Sequence, residues 1–155
     1  MITARRGETY DMGELKVQAL GSNDAGVSFL VHYGGKTIFH AGDLNDWSWY
    51  VRKGEMHDEA YRRRMREEFR KELEPLLGVH LDAAFVVMDM RLEERYKNGI
   101  DYFLHTMDAD AVFPMHLWGR YDLIPQYKKK LILAGEPELA KKVMDIREEN
   151  QIFEL

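Results

Sequence analysis

The sequence predicts an α/β fold with a mixed sheet, of the kind also classed as α+β, because strand and helix patterns alternate along its 155 residues. Three observations carry this prediction: hairpin patterns before residue 42, one long amphipathic helix pattern, and short apolar runs separated by further helix patterns. The length is sufficient for one domain with a substantial core. We therefore expect a single domain that spans residues 1–155.

The first four strands are predicted as two hairpins. Residues 8–20 contain two short strands around a turn, and apolar and polar residues roughly alternate through residues 15–20, which is typical of a strand with one buried face. The second hairpin pairs residues 27–33 with residues 36–41. Two consecutive glycines lie between them and form a two-residue turn that tolerates positive φ.

A strong helix is predicted over residues 58–77. Its apolar residues recur at i, i+4 spacing and form one stripe: Tyr61, Met65, Phe69, Leu73 and Leu77. Arginines and glutamates fill the remaining surface with mixed charge. Such a pattern is typical of a helix face in contact with water, not of a phosphate site.

Strands and helices alternate through the rest of the chain. The mostly apolar run at residues 82–88 predicts a buried strand. The later elements are, in order, a helix over 98–109, a strand over 111–116, helices over 122–134 and 137–143, and a terminal strand within 144–155. The helices are expected on one face of the sheet or on both.

Composition limits the classes of partner and cofactor. The formal charge is −5, so no basic field attracts nucleic acid, and no stretch approaches the roughly 18 apolar residues of a membrane span. Cysteine is absent, so any metal must be held by His, Asp or Glu. The N-terminus lacks the apolar core of a signal peptide, and we expect a cytoplasmic protein.

Two candidate site residues, Asp43 and His116, each follow an apolar strand directly. Loops at the ends of strands converge at the open edge of an α/β sheet, where such proteins bind ligands. An Asp and a His suit Zn, Mn or Fe. From spacing alone, however, ordinary caps and hydrogen bonds explain such a pair more often than a metal site does.

Two motifs resemble a known superfamily. The segment GVSFLVHYGGKTIFHAGDLNDW, residues 26–47, resembles the central hairpin of metallo-β-lactamase-fold hydrolases, and DADAVFPMHLWG, residues 108–119, resembles their last ligand motif. A small, mostly uncharacterised bacterial branch with HAGDLN and DAD-VFPMH-WG motifs is the closer match, over nearly the whole chain. The resemblance implies half or more of the αβ/βα metallo-β-lactamase sandwich.

The resemblance also implies roles for single residues. Asp43 would bridge metal ions, Gly42 would leave space for their close approach, and His116 would supply a nitrogen ligand. The expected metal is Zn, or Mn or Fe. His40 is a candidate for orienting a ligand, with a structural hydrogen bond as the alternative.

The aromatic residues near these motifs allow two interpretations. Trp47, Trp49 and Trp118 are candidates for a pocket wall that recognises substrate. Core packing or a partner interface explains them at least as well.

The chain also departs from the family pattern. No H-x-H motif occurs anywhere in it, although the family's main metal motif is H-x-H-x-D-H and precedes this hairpin. A further family His aligns with Ser22, and Asp24 is a weaker alternative ligand there. We therefore expect the C-terminal part of such a hydrolase, N-terminally truncated relative to the family, with weak or absent metal binding and little activity.

Three functional classes remain open at this stage. The first is a metal-dependent hydrolase of unidentified small-molecule substrate, with its missing half upstream or in another chain. The second is a non-catalytic remnant of the fold without metal. The third is a homodimer, in which a second copy covers the apolar sheet face that the missing half would otherwise meet. None of the three involves nucleic acid or a membrane.

Overall fold

The computed structural model describes residues 3–49 and 59–154 of the chain. These residues form a six-stranded sheet whose strands lie side by side in the order of the sequence. The strands are β1 (Thr9–Met12), β2 (Leu15–Leu20), β3 (Ser28–Tyr33), β4 (Lys36–His40), β5 (His80–Val87) and β6 (Asp108–Met115). The helices are α1 (Glu59–Leu73), α2 (Asn98–Thr106), α3 (Leu123–Leu133) and α4 (Pro137–Lys142). The α/β class with a mixed sheet is confirmed.

The sheet has an antiparallel half and a parallel half. Strands β1 to β4 form an antiparallel meander, whereas β4, β5 and β6 pair in parallel. The turn between β3 and β4 has φ of 57° at Gly34 and 78° at Gly35, a conformation that glycine adopts without a Cβ clash. The hairpin predicted from these two glycines is confirmed, and β4 ends at His40.

Helix α1 buries most of the predicted apolar stripe. Met65, Phe69 and Leu73 are buried, but Leu77 is 55% exposed. The predicted stripe is therefore wrong at its last residue. A 3-10 turn over Glu74–Leu76, which contains a proline, follows α1 and buries Leu76 instead. The first residue of the predicted helix, Asp58, and the neighbouring His57 lie outside the described residues.

All four helices contribute to one core on the same side of the sheet. On that side, Phe39, Ala84 and Val112 are fully buried and lie in register across β4, β5 and β6. The sequence left open whether the helices cover one face or both. The structure shows that they occupy one.

The opposite face carries a separate apolar cluster. Ala83, Ala111 and Phe113 are buried there, and three partly buried residues of the C-terminal segment, residues 143–154, pack on them: Met144, Ile146 and Phe153. The chain therefore covers part of this face with its own C-terminal segment.

The terminal strand predicted within residues 144–155 is wrong for the described part of that range. The segment makes an isolated parallel bridge, between Val143 and Val112 of β6, and Met144 N–H donates to the Val112 carbonyl at 2.9 Å. Beyond that point its apolar side chains pack across the face of the sheet, so the backbone does not extend the edge as a strand.

Among residues 3–49 and 59–154, no helix combines the length and the apolar character that crossing a bilayer requires.

The turn that ends β4 depends on Gly42. Its φ is 58°, and a Cβ built on it would lie 2.7 Å from the carbonyl oxygen of Val27. The resemblance had assigned this open space to the approach of metal ions. The structure shows that the backbone at Val27 occupies it, so Gly42 acts by shaping the turn that carries Asp43.

Replacement of Gly42 by alanine tests this close approach. We expect Gly42→Ala to reduce the free energy of unfolding by about 2–4 kcal/mol, because left-handed strain and a backbone clash add together. Gly34→Ala is the matched control, since its φ is 57° and nothing lies within 4 Å of the added Cβ. Gly34→Ala should reduce the free energy of unfolding, measured by urea denaturation, by only about 1 kcal/mol. Equal losses in both variants would contradict the steric argument.

Candidate functional site

Three polar side chains follow the C-terminal ends of the three parallel strands. Asp43 lies beyond β4, Asp89 lies beyond β5, and His116 follows β6 directly. The pairing of β5 and β6 continues past the end of β5, since Met88 N–H donates to the Met115 carbonyl at 2.9 Å. Parallel strands end at the same edge of a sheet, so these side chains converge there.

The structure brings the two residues singled out in the sequence, Asp43 and His116, into contact. His116 Nε2 lies 3.3 Å from Asp43 Oδ1. The indole N–H of Trp47 donates to the Asp43 carbonyl at 2.8 Å and anchors the turn. His116 has φ of 58°, an uncommon conformation for a residue with a Cβ and one that is concentrated at functional sites.

Asp89 is a buried charge beneath this pair. Its side chain is 0% exposed, and the Arg91 side chain donates to both carboxylate oxygens at 2.6–3.0 Å. The Trp118 indole N–H adds a hydrogen bond at 3.3 Å. Burial opposes ionisation, but the hydrogen bonds from Arg91 and Trp118 outweigh it and hold the pKa of Asp89 below its usual range.

The imidazole of His116 therefore lies between two carboxylates. Its Nδ1 atom is 3.4 Å from Asp89 Oδ2, on the side away from Asp43. This buried Nδ1 makes no hydrogen bond of good geometry to any described residue. The two ring nitrogens thus face different carboxylates, Nδ1 that of Asp89 and Nε2 that of Asp43.

The three tryptophans surround the guanidinium of Arg91. It lies 5.9 Å from the ring centroids of Trp47 and Trp49 and 5.1 Å from that of Trp118. Trp47 is buried and stacks on Trp49, whereas Trp118 is 68% exposed. Core packing thus accounts for Trp47, and Trp118 presents its ring to solvent. Substrate recognition by these rings stays a prediction.

His40 has contacts of a structural kind. Its Nδ1 accepts a hydrogen bond from the Gly42 N–H at 3.0 Å, and its ring packs on Phe85 with 5.6 Å between centroids. Desolvation lowers the pKa of His40, and repulsion from His116 lowers it further. These contacts match the structural alternative for His40. A ligand-orienting role stays a prediction.

A cleft of about 1070 Å³ opens beside these residues. Its lining includes Asp24, Asp43 and Arg91 together with residues of the C-terminal segment. Asp24, the weaker alternative ligand predicted from the sequence, thus lines the same cleft. A cleft of this size accommodates a small molecule.

The donor set fits part of a metal site. Two ligands of one tetrahedral zinc ion, each at about 2.0–2.1 Å, lie about 3.3 Å apart, which matches the separation of His116 Nε2 and Asp43 Oδ1. Within residues 3–49 and 59–154, however, no group of three or more His, Asp or Glu side chains is arranged to hold a metal. The described residues therefore supply two of the four ligands of a tetrahedral zinc site.

Sequence reasoning missed Asp89 and Arg91. The signal was present, since Asp89 follows a buried strand just as Asp43 and His116 do. Arg91 carried no comparable signal, because its assignment depends on the folded positions of the three indoles and of the Asp89 carboxylate.

No family model matches this chain, and no curated protein matches it. Two solved structures are similar in part. One is a protein from Thermotoga maritima assigned as a Zn-dependent hydrolase of the metallo-β-lactamase superfamily, with 14% identity and a TM-score of 0.36 over 72% of this chain and 47% of that one. The other is a point mutant of the β-hydroxylase CmlA, with 13% identity and a TM-score of 0.41 over 70% and 24% of the two chains. This chain thus spans less than half of either protein.

Substitution of the buried carboxylate tests its electrostatic role. We expect Asp89→Asn to lower the free energy of unfolding by about 1–3 kcal/mol at neutral pH, because Arg91 loses its charged acceptor. The pKa of Asp89 is depressed in the folded state, so its contribution is present above the ordinary value of 3.8 and is lost as pH falls through the folded-state value. The difference in the free energy of unfolding between Asp89→Asn and the parent chain should therefore become smaller in acid.

Asp122→Asn is the matched control for this experiment. Arg120 also makes a bidentate contact with Asp122 two residues away, and both arginines are 53% exposed, but the Asp122 side chain is 51% exposed instead of 0%. A surface pair of this kind should contribute about 0.5 kcal/mol or less. Denaturation curves that show equal losses for the two variants would contradict a special role for the buried carboxylate.

Proposed function

We propose that this chain supplies part of the metal centre of a metal-dependent hydrolase of the metallo-β-lactamase superfamily, acting on a small molecule. The observation that carries the proposal is the 3.3 Å contact between His116 Nε2 and Asp43 Oδ1. Two residues far apart in the sequence meet at the sheet edge where α/β proteins bind ligands. The motifs around both residues resemble that superfamily.

Asp43 and His116 are the residues that would hold the metal. The carboxylate and the imidazole suit Zn, with Mn or Fe as alternatives. Such an ion, when bound, lowers the pKa of a coordinated water toward neutrality and thereby makes it a nucleophile. Protein sites for zinc normally have three or four ligands, so two ligands support weak binding.

The chain's own residues have distinct tasks in this proposal. Asp89 lies behind His116 and favours the tautomer whose Nε2 accepts a metal, as carboxylates behind ligating histidines do. Arg91 and Trp118 hold Asp89 in place through their hydrogen bonds. The cleft beside Asp43 gives a small molecule access to the site.

Metal binding by Asp43 and His116 is directly measurable. We expect isothermal titration calorimetry of the metal-free chain with ZnCl₂ or MnCl₂ to give a dissociation constant in the micromolar range or weaker. The double substitution Asp43→Ala with His116→Ala should abolish this binding, because it removes both donors.

A second His–Asp pair in the chain supplies the control. His80 Nδ1 lies 3.0 Å from Asp108 Oδ2 on the exposed surface, at the N-terminal ends of β5 and β6. The substitutions His80→Ala with Asp108→Ala should leave the titration unchanged. Sub-micromolar zinc affinity that survives removal of Asp43 and His116 would overturn the assignment.

A second candidate function is a self-assembling module, in which a second copy covers the sheet face opposite the helices. A row of β-branched residues favours it: Val17, Val31 and Ile38 lie in register across β2, β3 and β4, and each is only partly buried. The row leads directly to buried Ala83 of β5. Ile38, at one end of this row, packs against the same buried cluster as the C-terminal segment.

Assembly through this row predicts a homodimer. Sedimentation equilibrium at micromolar concentration should give about twice the chain mass of 18.2 kDa. Val31→Glu should shift the mass to that of a monomer, because it places a charge in the middle of the apolar row. Leu133→Glu, on a side chain 77% exposed at the end of α3, should not. A parent chain that sediments as a monomer and binds no hydrophobic dye would refute the dimer.

A further inference from the structure

The cleft beside His116 has a wide aromatic lining. Six aromatic side chains line it: Trp47, Phe85, Phe113, Trp118, Tyr121 and Phe153. Phe85 and Phe113 stack with 4.9 Å between centroids, and Phe153 meets Phe113 edge-on at 5.1 Å. Rings that pack on one another form a rigid apolar surface, which is the usual lining of a site for a small organic molecule.

The charges of the cleft are strongly one-sided. Among the described residues, four carboxylates line it, those of Asp24, Asp43, Glu148 and Glu149, against one guanidinium, that of Arg91. The buried carboxylate of Asp89 already neutralises Arg91 through a bidentate contact. Neither Glu148 nor Glu149 forms an ion pair within the described residues. The cleft therefore repels anions and attracts cations.

The aromatic faces of this site are compatible with positive charge. The guanidinium of Arg91 lies within 6 Å of three indole centroids, which is the range of cation–π attraction. Trp118 still presents an exposed face toward solvent, and the Phe85–Phe113–Phe153 cluster has no cation over it among the described contacts. Trp118 and the partly exposed rings of Phe85 and Phe153 remain available to a ligand, whereas Phe113 is buried.

We propose that the cleft binds a small organic cation with an aromatic or alkyl body, of the class of the arylalkylamines. The apolar body packs on the phenylalanine cluster, and the ammonium group lies among the carboxylates at the rim and against the face of Trp118. The inference rests on the proposed function, because it names the cationic, aromatic part of the small molecule that the same site would take. Binding of the amine itself requires no metal.

Three probes with the same aromatic body test the charge preference. These are 2-phenylethylamine, 2-phenylethanol and 3-phenylpropionate, which carry charges of about +1, 0 and −1 at neutral pH. Tryptophan fluorescence reports binding, since all three tryptophans of the chain surround Arg91, and Trp47 and Trp118 line the cleft. The titrations use the full chain in excess chelator, so that a failure here is separate from a failure of metal binding.

We expect the amine to give a saturable change and to bind about tenfold tighter than the alcohol, whereas the carboxylate gives no saturation. The double variant Glu148→Gln with Glu149→Gln should weaken amine binding about three- to tenfold and leave the alcohol unchanged. Raised ionic strength should weaken only the amine.

Glu67→Gln with Glu68→Gln is the control for net charge. It removes the same two charges from the exposed surface of α1, away from the cleft. Amine binding should survive it unchanged. The inference would be overturned if the amine and the alcohol bound with equal affinity, or if the carboxylate bound more tightly than the amine. Equal effects of the two double variants on amine binding, or no saturable change with any probe, would overturn it as well.

Discussion

The parallel pairing of β4, β5 and β6 is the constraint on which the site depends. Register places Phe39, Ala84 and Val112 side by side against the helices, and these three side chains are fully buried. Any slip by one residue would turn this apolar row toward the other face, so burial fixes the register strongly. Because the register is fixed, the positions at which the three strands end are fixed as well, and the polar residues beyond those ends meet.

A buried charge then gives this meeting point its chemical character. Asp89 has no exposed surface, and a carboxylate in that position is tolerated only because Arg91 and Trp118 donate hydrogen bonds to it. The same carboxylate lies 3.4 Å from Nδ1 of His116. The Asp89 side chain thus contacts Arg91, Trp118 and His116 at once.

Much of this arrangement could be predicted from the sequence, and the exceptions have physical causes. Paired glycines and a regular apolar stripe are local signals, so the β3–β4 hairpin and α1 were predicted correctly. The predictions for Leu77 and for the terminal strand were wrong because long-range packing decides both. The chain turns after α1 and buries Leu76 instead of Leu77, and the C-terminal segment lies over the face of the sheet. The relation between Asp89 and His116 could not be read from sequence spacing, because it exists only once β5 and β6 pair.

Binding of zinc between Asp43 and His116 is tested most directly by X-ray diffraction from crystals of the chain soaked in zinc, with data collected on both sides of the zinc absorption edge. One anomalous peak is expected between Asp43 and His116, within about 2.0–2.2 Å of the carboxylate oxygen and of Nε2. Asp89 is expected to remain on the Nδ1 side of the ring. A metal site at Asp43 and His116 would be contradicted by a peak elsewhere with none between these two residues, or by an imidazole turned away from Asp43.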